Sequence, residues 1–319
     1  MRQTITSSII ALSLAVANSA YAGSGVPTDL PYPTGVPSAE QVAEQVYFAN
    51  HFYTFKNFGI RRKKGKMSVI VDRIKGSKVN LTAIERFINN NYKDGKVRSK
   101  DMALFRSGKL KGMGMLITDY VDPNKNQSYE VWLPELRKVR RFAQPAPEDA
   151  WGGTAFTFGD VTLRSPKDET HKLLGIRQFK GCLGAIKKLR GKRIRYAGTL
   201  PQNACRHRGK KVFILKSTHK DNNWWYDYCI SFVDTKSFAD YRTVYYKNKK
   251  LIKVIDRDWG RVISKRLKDP RALFWKYWYG LDRTSGHETW AVVPDETIEI
   301  NARHKANFWS VSTLRRLKR

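Results

Sequence analysis

Carboxylates are scarce in this chain: 28 Asp and Glu stand against 60 Lys and Arg, for a net charge of +32. An imbalance of that size selects for anionic partners, whether phospholipid head groups, lipopolysaccharide or nucleic acid. The basic residues are spread along the sequence rather than packed into one tail, so a solvated basic surface without a dedicated partner fits as well. Past residue 22 no apolar run approaches the length of a membrane-spanning helix. Catalytic signatures are missing. There is no Gly-x-Ser-x-Gly elbow. The segment Gly108-Lys109-Leu110-Lys111-Gly112-Met113-Gly114 matches neither the Walker nor the dinucleotide pattern, and it reads as a hairpin leading into a strand. The six histidines form no His-x-x-x-His pair, and Cys205-Arg206-His207 sits among arginines that would repel a cation, so this segment reads as a surface loop. Internal repeats and low-complexity blocks are absent too. No cofactor and no metal are expected.

What is present begins with a leader-like pattern. Arg2 precedes an apolar run from Ile9 to Val16, and Ala20-Tyr21-Ala22 forms a small-x-small site. Residues 1–22 therefore read as a cleaved signal peptide and the remainder as an exported, soluble protein, periplasmic in a bacterium. Residues 23–37, with four prolines and three glycines, read as an extended N-terminal arm. Residues 38–319 read as one domain. Ser38 with Gln41 forms a capping box, and Val42, Val46 and Ala49 make an apolar stripe on the helix that follows. Short β-branched and aromatic runs then recur, separated by turn signals. Ser68–Val71, Thr82–Ile88, Asp101–Phe105 and Met113–Thr118 form one series; Val212–Leu215, Trp225–Val233, Tyr241–Tyr246 and Leu251–Asp256 form another. Such spacing argues a meander or an open barrel, not βαβ units. Asp269-Pro270 reads as the start of a short helix with Leu273, Phe274, Tyr277 and Trp278 as an apolar patch. Trp290–Val293 and Thr297–Ile300 read as final strands, and Leu314–Arg319 as a basic tail.

Between the two series lies the most distinctive stretch. Tyr129 to Phe142 reads as two strands broken at Pro134, which has no N–H to give to a ladder. Ala143–Ala150 is a proline-rich loop, and Trp151–Gly159 alternates aromatics with three glycines. Trp132-Leu133-Pro134-Glu135-Leu136-Arg137-Lys138-Val139-Arg140-Arg141 followed by Trp151-Gly152-Gly153-Thr154-Ala155-Phe156-Thr157-Phe158-Gly159-Asp160 resembles the outer-membrane lipoprotein-sorting proteins, a LolA-like family. Gly112–Tyr120, Thr284-Ser285-Gly286-His287-Glu288-Thr289 and the aromatic and basic end from Phe308 to Arg319 are similar to further segments of that family. The resemblance implies an incomplete antiparallel β-barrel curved over a few helices, mainly β within the α+β class. It also implies a lipoprotein or lipid carrier with an apolar concave face, no chemical step, and a possible inner-membrane transporter as partner.

On that reading the candidate cargo contacts are Trp132, Leu133, Arg137, Arg140, Arg141, Phe142, Phe156, Phe158 and His287. Alternation puts Arg137, Val139 and Arg141 on one strand face and Lys138, Arg140 and Phe142 on the other. The arginine forks suit phosphate or carboxylate head groups at a cavity mouth. The alternative is an edge strand guarded by charge against self-pairing. Trp132, Phe156 and Phe158 line a cavity or fill the core, and His287 is a cargo contact or a hairpin-turn residue. The large basic excess points to anionic lipid cargo and transient membrane-surface contact, with no nucleic acid. The competing readings are an envelope lipid-modifying enzyme and a protein that binds lipopolysaccharide or nucleic acid through its basic surface. Of the three cysteines, Cys182 and Cys205 are expected to pair around the basic insertion Lys187–Arg195, stabilising the fold by roughly 3 kcal/mol. Cys229, on an alternating strand, is expected to stay a buried thiol; spacing alone leaves all three pairings open.

Overall fold

A computed structural model describes residues 26–75, 79–122, 124–186, 204–262, 267–305 and 307–316. The expected leader, residues 1–22, and the expected insertion Lys187–Arg195 lie outside the described residues. The first element is helix α1 (Ala39–Asn50). Its start follows from local chemistry: the Ser38 hydroxyl accepts from the Gln41 N–H at 3.2 Å, while the Gln41 side chain accepts from the Ser38 N–H at 2.9 Å. The stretch before it is not a free arm. Val26 and Leu30 are buried against Phe48 and Tyr53, and the Arg271 guanidinium donates to the Leu30 carbonyl at 2.9 Å.

Fifteen strands make one antiparallel sheet among the described residues. They are β1 (Asn57–Ile60), β2 (Ser68–Arg73), β3 (Asn80–Asn89), β4 (Val97–Phe105), β5 (Gly114–Tyr120), β6 (Ser128–Leu133), β7 (Lys138–Phe142) and β8 (Glu169–Gln178). The second half adds β9 (Lys211–His219), β10 (Tyr228–Asp234), β11 (Asp240–Lys247), β12 (Lys250–Arg261), β13 (Leu273–Asp282), β14 (Glu288–Val292) and β15 (Ile298–Ile300). The order is β7-β6-β5-β4-β3-β2-β14-β13-β12-β11-β10-β9-β8, with β1 and β15 beside the far half of β3. Two meanders therefore join where β2 meets β14, and β7 and β8 remain as free ends of an open sheet. The mainly antiparallel, unclosed architecture agrees with the expectation from sequence.

Cross-strand pairing fixes two faces. The inner face carries Ile70, Ile84, Ala291, Trp278, Arg257, Lys253, Cys229 and Leu215, as the aligned registers show. Helix α1 packs Val42 and Ala43 on it at Phe213, Leu215 and Val233. On the outer face, Phe87, Met102, Leu104, Leu116 and Trp132 lie under Trp309 and Leu314. Leu314 belongs to a second helix, α2 (Val311–Arg316), so this part of the expected basic tail is a packed lid instead. Farther along, the connection from β8 to β9 covers the outer face, with Leu183, Ala185 and Ala204 in the core. There Cys182 and Cys205 form a disulfide with their Cα atoms 4.2 Å apart, and Cys229 is a buried free thiol on β10.

The expected helix after Asp269-Pro270 is a strand instead. Leu273, Trp275, Tyr277, Trp278 and Tyr279 are all buried in β13 because both of its faces are covered. A run buried on two sides matches helical spacing by coincidence, and its aromatic content favours the pleat. Strand β8 escaped the sequence reading because as an edge strand it is half polar. Another correction concerns His207, which is no surface residue: it is 2% exposed, stacks on Tyr241 at 4.0 Å and bonds to Asp258 at 2.8 Å.

Candidate functional site

The segment from Trp151 to Leu163 lies against the inner face and defines the site. It is tied down at three places. The Ala155 N–H donates to the Thr289 hydroxyl at 2.8 Å, and that hydroxyl donates to Asp72 at 2.6 Å. The Phe156 ring fills the space above Gly280, where a Cβ would come within 2.7 Å of it, and meets Trp278 edge-on at 5.6 Å. Last, Asp160 forms a buried ion pair with Lys253 of β12, whose ammonium also sits over the Trp225 ring at 4.8 Å.

Two clefts adjoin beneath and beside this segment. The first, about 580 Å³ with its solvent-open part, is apolar: Ile70, Ile84, Trp151, Phe156, Val161 and Trp278 dominate its wall. An apolar cluster continues it towards the β4–β5 turn through Phe105, Leu110 and Met113. The second, between α1 and the sheet, is polar. Tyr47, Asn50, His51, Arg164, His171 and Arg257 are among its residues, while Val161, Trp275 and Trp278 belong to both clefts. The inner face thus offers an apolar compartment beside a hydrogen-bonding one.

The polar cleft has no spare positive charge. Arg257 bonds to Asp240 at 2.8 Å, and Arg164 bonds to Glu169 at 2.9 Å and to the Cys229 sulfur at 3.1 Å. Burial pushes the Cys229 thiol up to about 12, so the sulfur is neutral. Burial likewise holds His51 down at about 4, where its Nδ1 shares a 2.9 Å bond with the Tyr47 carbonyl. His171 is fixed at both nitrogens, by Ser217 at 2.8 Å and the Pro166 carbonyl at 2.7 Å. No cluster of metal-ligating side chains occurs among the described residues. On the outer face His207 and Asp258 make a His–carboxylate pair, but the His207 Nδ1 has no partner and neighbouring Cys205 is consumed in the disulfide.

Of the sequence-predicted contacts, Phe156 lines the apolar cleft. Phe158 packs edge-on against Tyr129 at 6.0 Å and His287 bonds to Asp72 at 2.7 Å, bracing the tied segment from outside the clefts. Trp132 takes the other of its two expected places, in the core. It points to the outer face, under Trp309 and Leu314, because alternation along β6 sends Tyr129 and Val131 inward instead. Leu133, Arg137, Arg140, Arg141 and Phe142 line neither cleft. Arg137 is not in the strand at all; it sits in the turn with φ +49°. Arg140 stands beside Val131 and Arg141 beside Glu130, on opposite faces, and Arg141 lies 3.6 Å from the Glu130 carboxylate. Four strand spacings, roughly 19 Å, separate β7 from β3. Residues that sequence reasoning missed are Arg164, Arg257, Asp160 and Lys253. The available signal was that Lys253, Ile255 and Arg257 share one face of the strand, two cations flanking an apolar residue.

Comparison with known proteins places this arrangement. A DUF1329 family protein from Desulfovibrio piger superposes with a TM-score of 0.63 at 14% identity, covering 88% of this chain and 100% of that one. The fold is LolA-like. A domain named for outer-membrane lipoprotein sorting, from Vibrio parahaemolyticus, gives a TM-score of 0.60 at 13% identity, over 87% of this chain and 98% of its own. A LolA superfamily protein from Nitrosomonas europaea gives 0.52 at 11%, over 87% and 100%. A family model described as "Uncharacterized protein" matches residues 98–188, which span β4 to β8. No curated protein matches in sequence. At these identities the likeness is one of LolA-like fold.

Proposed function

We propose that this LolA-like protein is a periplasmic carrier for acylated cargo, a lipid or a lipoprotein, and that it performs no chemical step. The observation that carries the reading is the adjoining pair of clefts under one tied segment: an apolar one for acyl chains and a polar one for the atoms that join them. Each methylene withdrawn from water is worth about 0.8 kcal/mol, so a chain in transit requires such a lining. The apolar wall contains the aromatics of the segment itself, so seating a chain displaces Phe156 from above Gly280. The charge balance refines the cargo. Arg164 and Arg257 already hold carboxylates, and an incoming phosphate would have to break a buried pair or lie unpaired. The polar end that fits is therefore uncharged, an ester or amide linkage, rather than the anionic head group that the basic composition favours.

The test is displacement of a fluorescent fatty-acyl probe from the purified protein by a neutral diacylglyceride and by a phosphatidic acid with the same chains. The neutral lipid is expected to displace at least as well as the anionic one. A tenfold preference for the anion would overturn the charge argument, and failure of the protein to bind any acyl probe would remove the carrier reading.

A further inference from the structure

Positive charge that the clefts do not use stands with exposed apolar side chains at both free edges of the sheet; Leu174 and Ile176 lie among Lys172, Arg177 and Lys180 at β8, and a similar set at β7 adjoins the cleft wall. Strand β7 closes one end of the sheet, and every residue from Glu135 to Ala143 except Val139 is exposed. Within that run Arg137, Lys138 and Arg140 form no ion pair with a described residue. The β4–β5 turn lies alongside: a Cβ at Gly112 would sit 3.4 Å from Pro134 Cγ. That turn adds Lys109 and Lys111, also exposed and without an ion pair to a described residue. Set among the five cations are Leu136, 53% exposed, and Phe142, 48% exposed.

An edge guarded against self-pairing accounts for charges on β7. It does not account for lysines on the neighbouring turn, nor for a leucine and a phenylalanine left in solvent beside them. Cations interleaved with exposed apolar groups are what an anionic bilayer selects, since the charges meet head groups while the apolar side chains enter the acyl boundary. The same turn also connects inward. Leu110, between the two lysines, reaches the Trp151 segment, 3.8 Å from the Cβ position of Gly152, and belongs to the apolar cluster that continues the cleft.

We infer that the β4–β5 turn, the β6–β7 turn and strand β7 form a docking surface for an anionic lipid bilayer. It places the wall of the apolar cleft next to the membrane, so that a chain passes between bilayer and protein with little exposure to water. The purpose of the surface rests on the carrier reading; its composition does not.

Vesicle flotation tests the surface, with phosphatidylglycerol–phosphatidylcholine vesicles, pure phosphatidylcholine vesicles and duplex DNA as probes, at low and high salt. The wild type is expected to bind the anionic vesicles, to lose most of that binding in 0.5 M salt and to ignore the neutral ones. Each cation at such a surface is worth about fivefold in partitioning, so R137Q/K138Q/R140Q is expected to weaken binding about a hundredfold. A charge-matched control away from both edges, K249Q/K250Q/R283Q at the β11–β12 and β13–β14 turns, where no large apolar side chain is exposed, is expected to change it less than tenfold. Leu136→Ser is expected to weaken vesicle binding several-fold without changing the salt dependence. Equal loss in the two triple variants would overturn the proposal in favour of diffuse charge, and so would tighter binding to DNA than to vesicles. Binding of the acyl probe, measured on the same samples, is expected to be unchanged; its absence in every sample would sink the carrier reading and leave the vesicle result to stand on its own.

Discussion

The inner clefts and the β6–β7 edge treat the same side chains in opposite ways. In the clefts each arginine is held by its own carboxylate, Arg86 by Asp101, Arg257 by Asp240 and Arg164 by Glu169, and behind them Lys253 is buried with Asp160. At the edge Arg137, Lys138 and Arg140 stand in solvent without such partners. The difference follows from solvation. A charge taken out of water must find an opposite charge within the protein or pay several kcal/mol, whereas a charge at the surface is hydrated and remains available to an external partner. Among the described residues, the positive charge left without a carboxylate partner is therefore on the outside, away from the clefts.

The sharpest way to break this comparison is to unpair one buried charge. Lys253→Met takes from the buried Asp160 carboxylate its ion-pair partner, and the Oδ1 of that carboxylate has no hydrogen-bond partner to begin with. The expected loss is about 3–5 kcal/mol of stability in urea unfolding at neutral pH. The double change Lys253→Met with Asp160→Leu is expected to recover most of it, because the cost lies in the orphaned charge. A loss below about 1 kcal/mol in the single variant would mean that the pair is hydrated, and the contrast between a charge-paired interior and the exposed edge would fail.

A second change acts on the seat of the tied segment rather than on its charge. Gly280→Val places methyl groups where the Phe156 ring now lies, 2.7 Å from the new Cβ. Overpacking of this kind typically costs about 1–3 kcal/mol. On the carrier reading the displaced ring mimics the loaded state, so acyl-probe association is expected to speed up even as stability falls. A slower association would show that Phe156 helps to form the cleft instead of occupying it.

Much of the architecture was legible before the structure because local chemistry and the fold agree. The capping box at Ser38 and Gln41 starts α1, and the alternating runs separated by Gly, Asn and Asp turns became the meanders. The site was far less legible. Whether Trp132 faces the clefts or α2 depends on register, and one residue of shift reverses the answer. The left-handed backbone of Arg137 took it out of the strand on which alternation had placed it. Arg257 and Lys253 were overlooked because their meaning lies in Asp240 and Asp160, partners 17 and 93 residues away. Leu273 to Tyr279 read as a helix because burial on both faces erases the period that separates strand from helix.

The smallest expected effect is as informative as the largest. Arg141→Gln removes the one edge arginine that has an ion-pair partner, at 3.6 Å with the arginine side chain 77% exposed. A pair so hydrated contributes little, because water screens the attraction and two long side chains lose freedom in making it. The midpoint of urea unfolding is expected to correspond to a change within about 0.5 kcal/mol. The same holds for the triple change of Arg137, Lys138 and Arg140 to glutamine, whose stability is expected to rise slightly within that range as like charges on neighbouring positions are removed. Unfolding measured at 0.02 M and 0.5 M salt separates these contributions: the wild type is expected to gain stability with salt, and the triple variant to gain less. Were the triple variant instead destabilised by 2 kcal/mol or more, the edge cations would be structural members of the sheet, and the division between a charge-paired interior and a partner-facing edge would collapse.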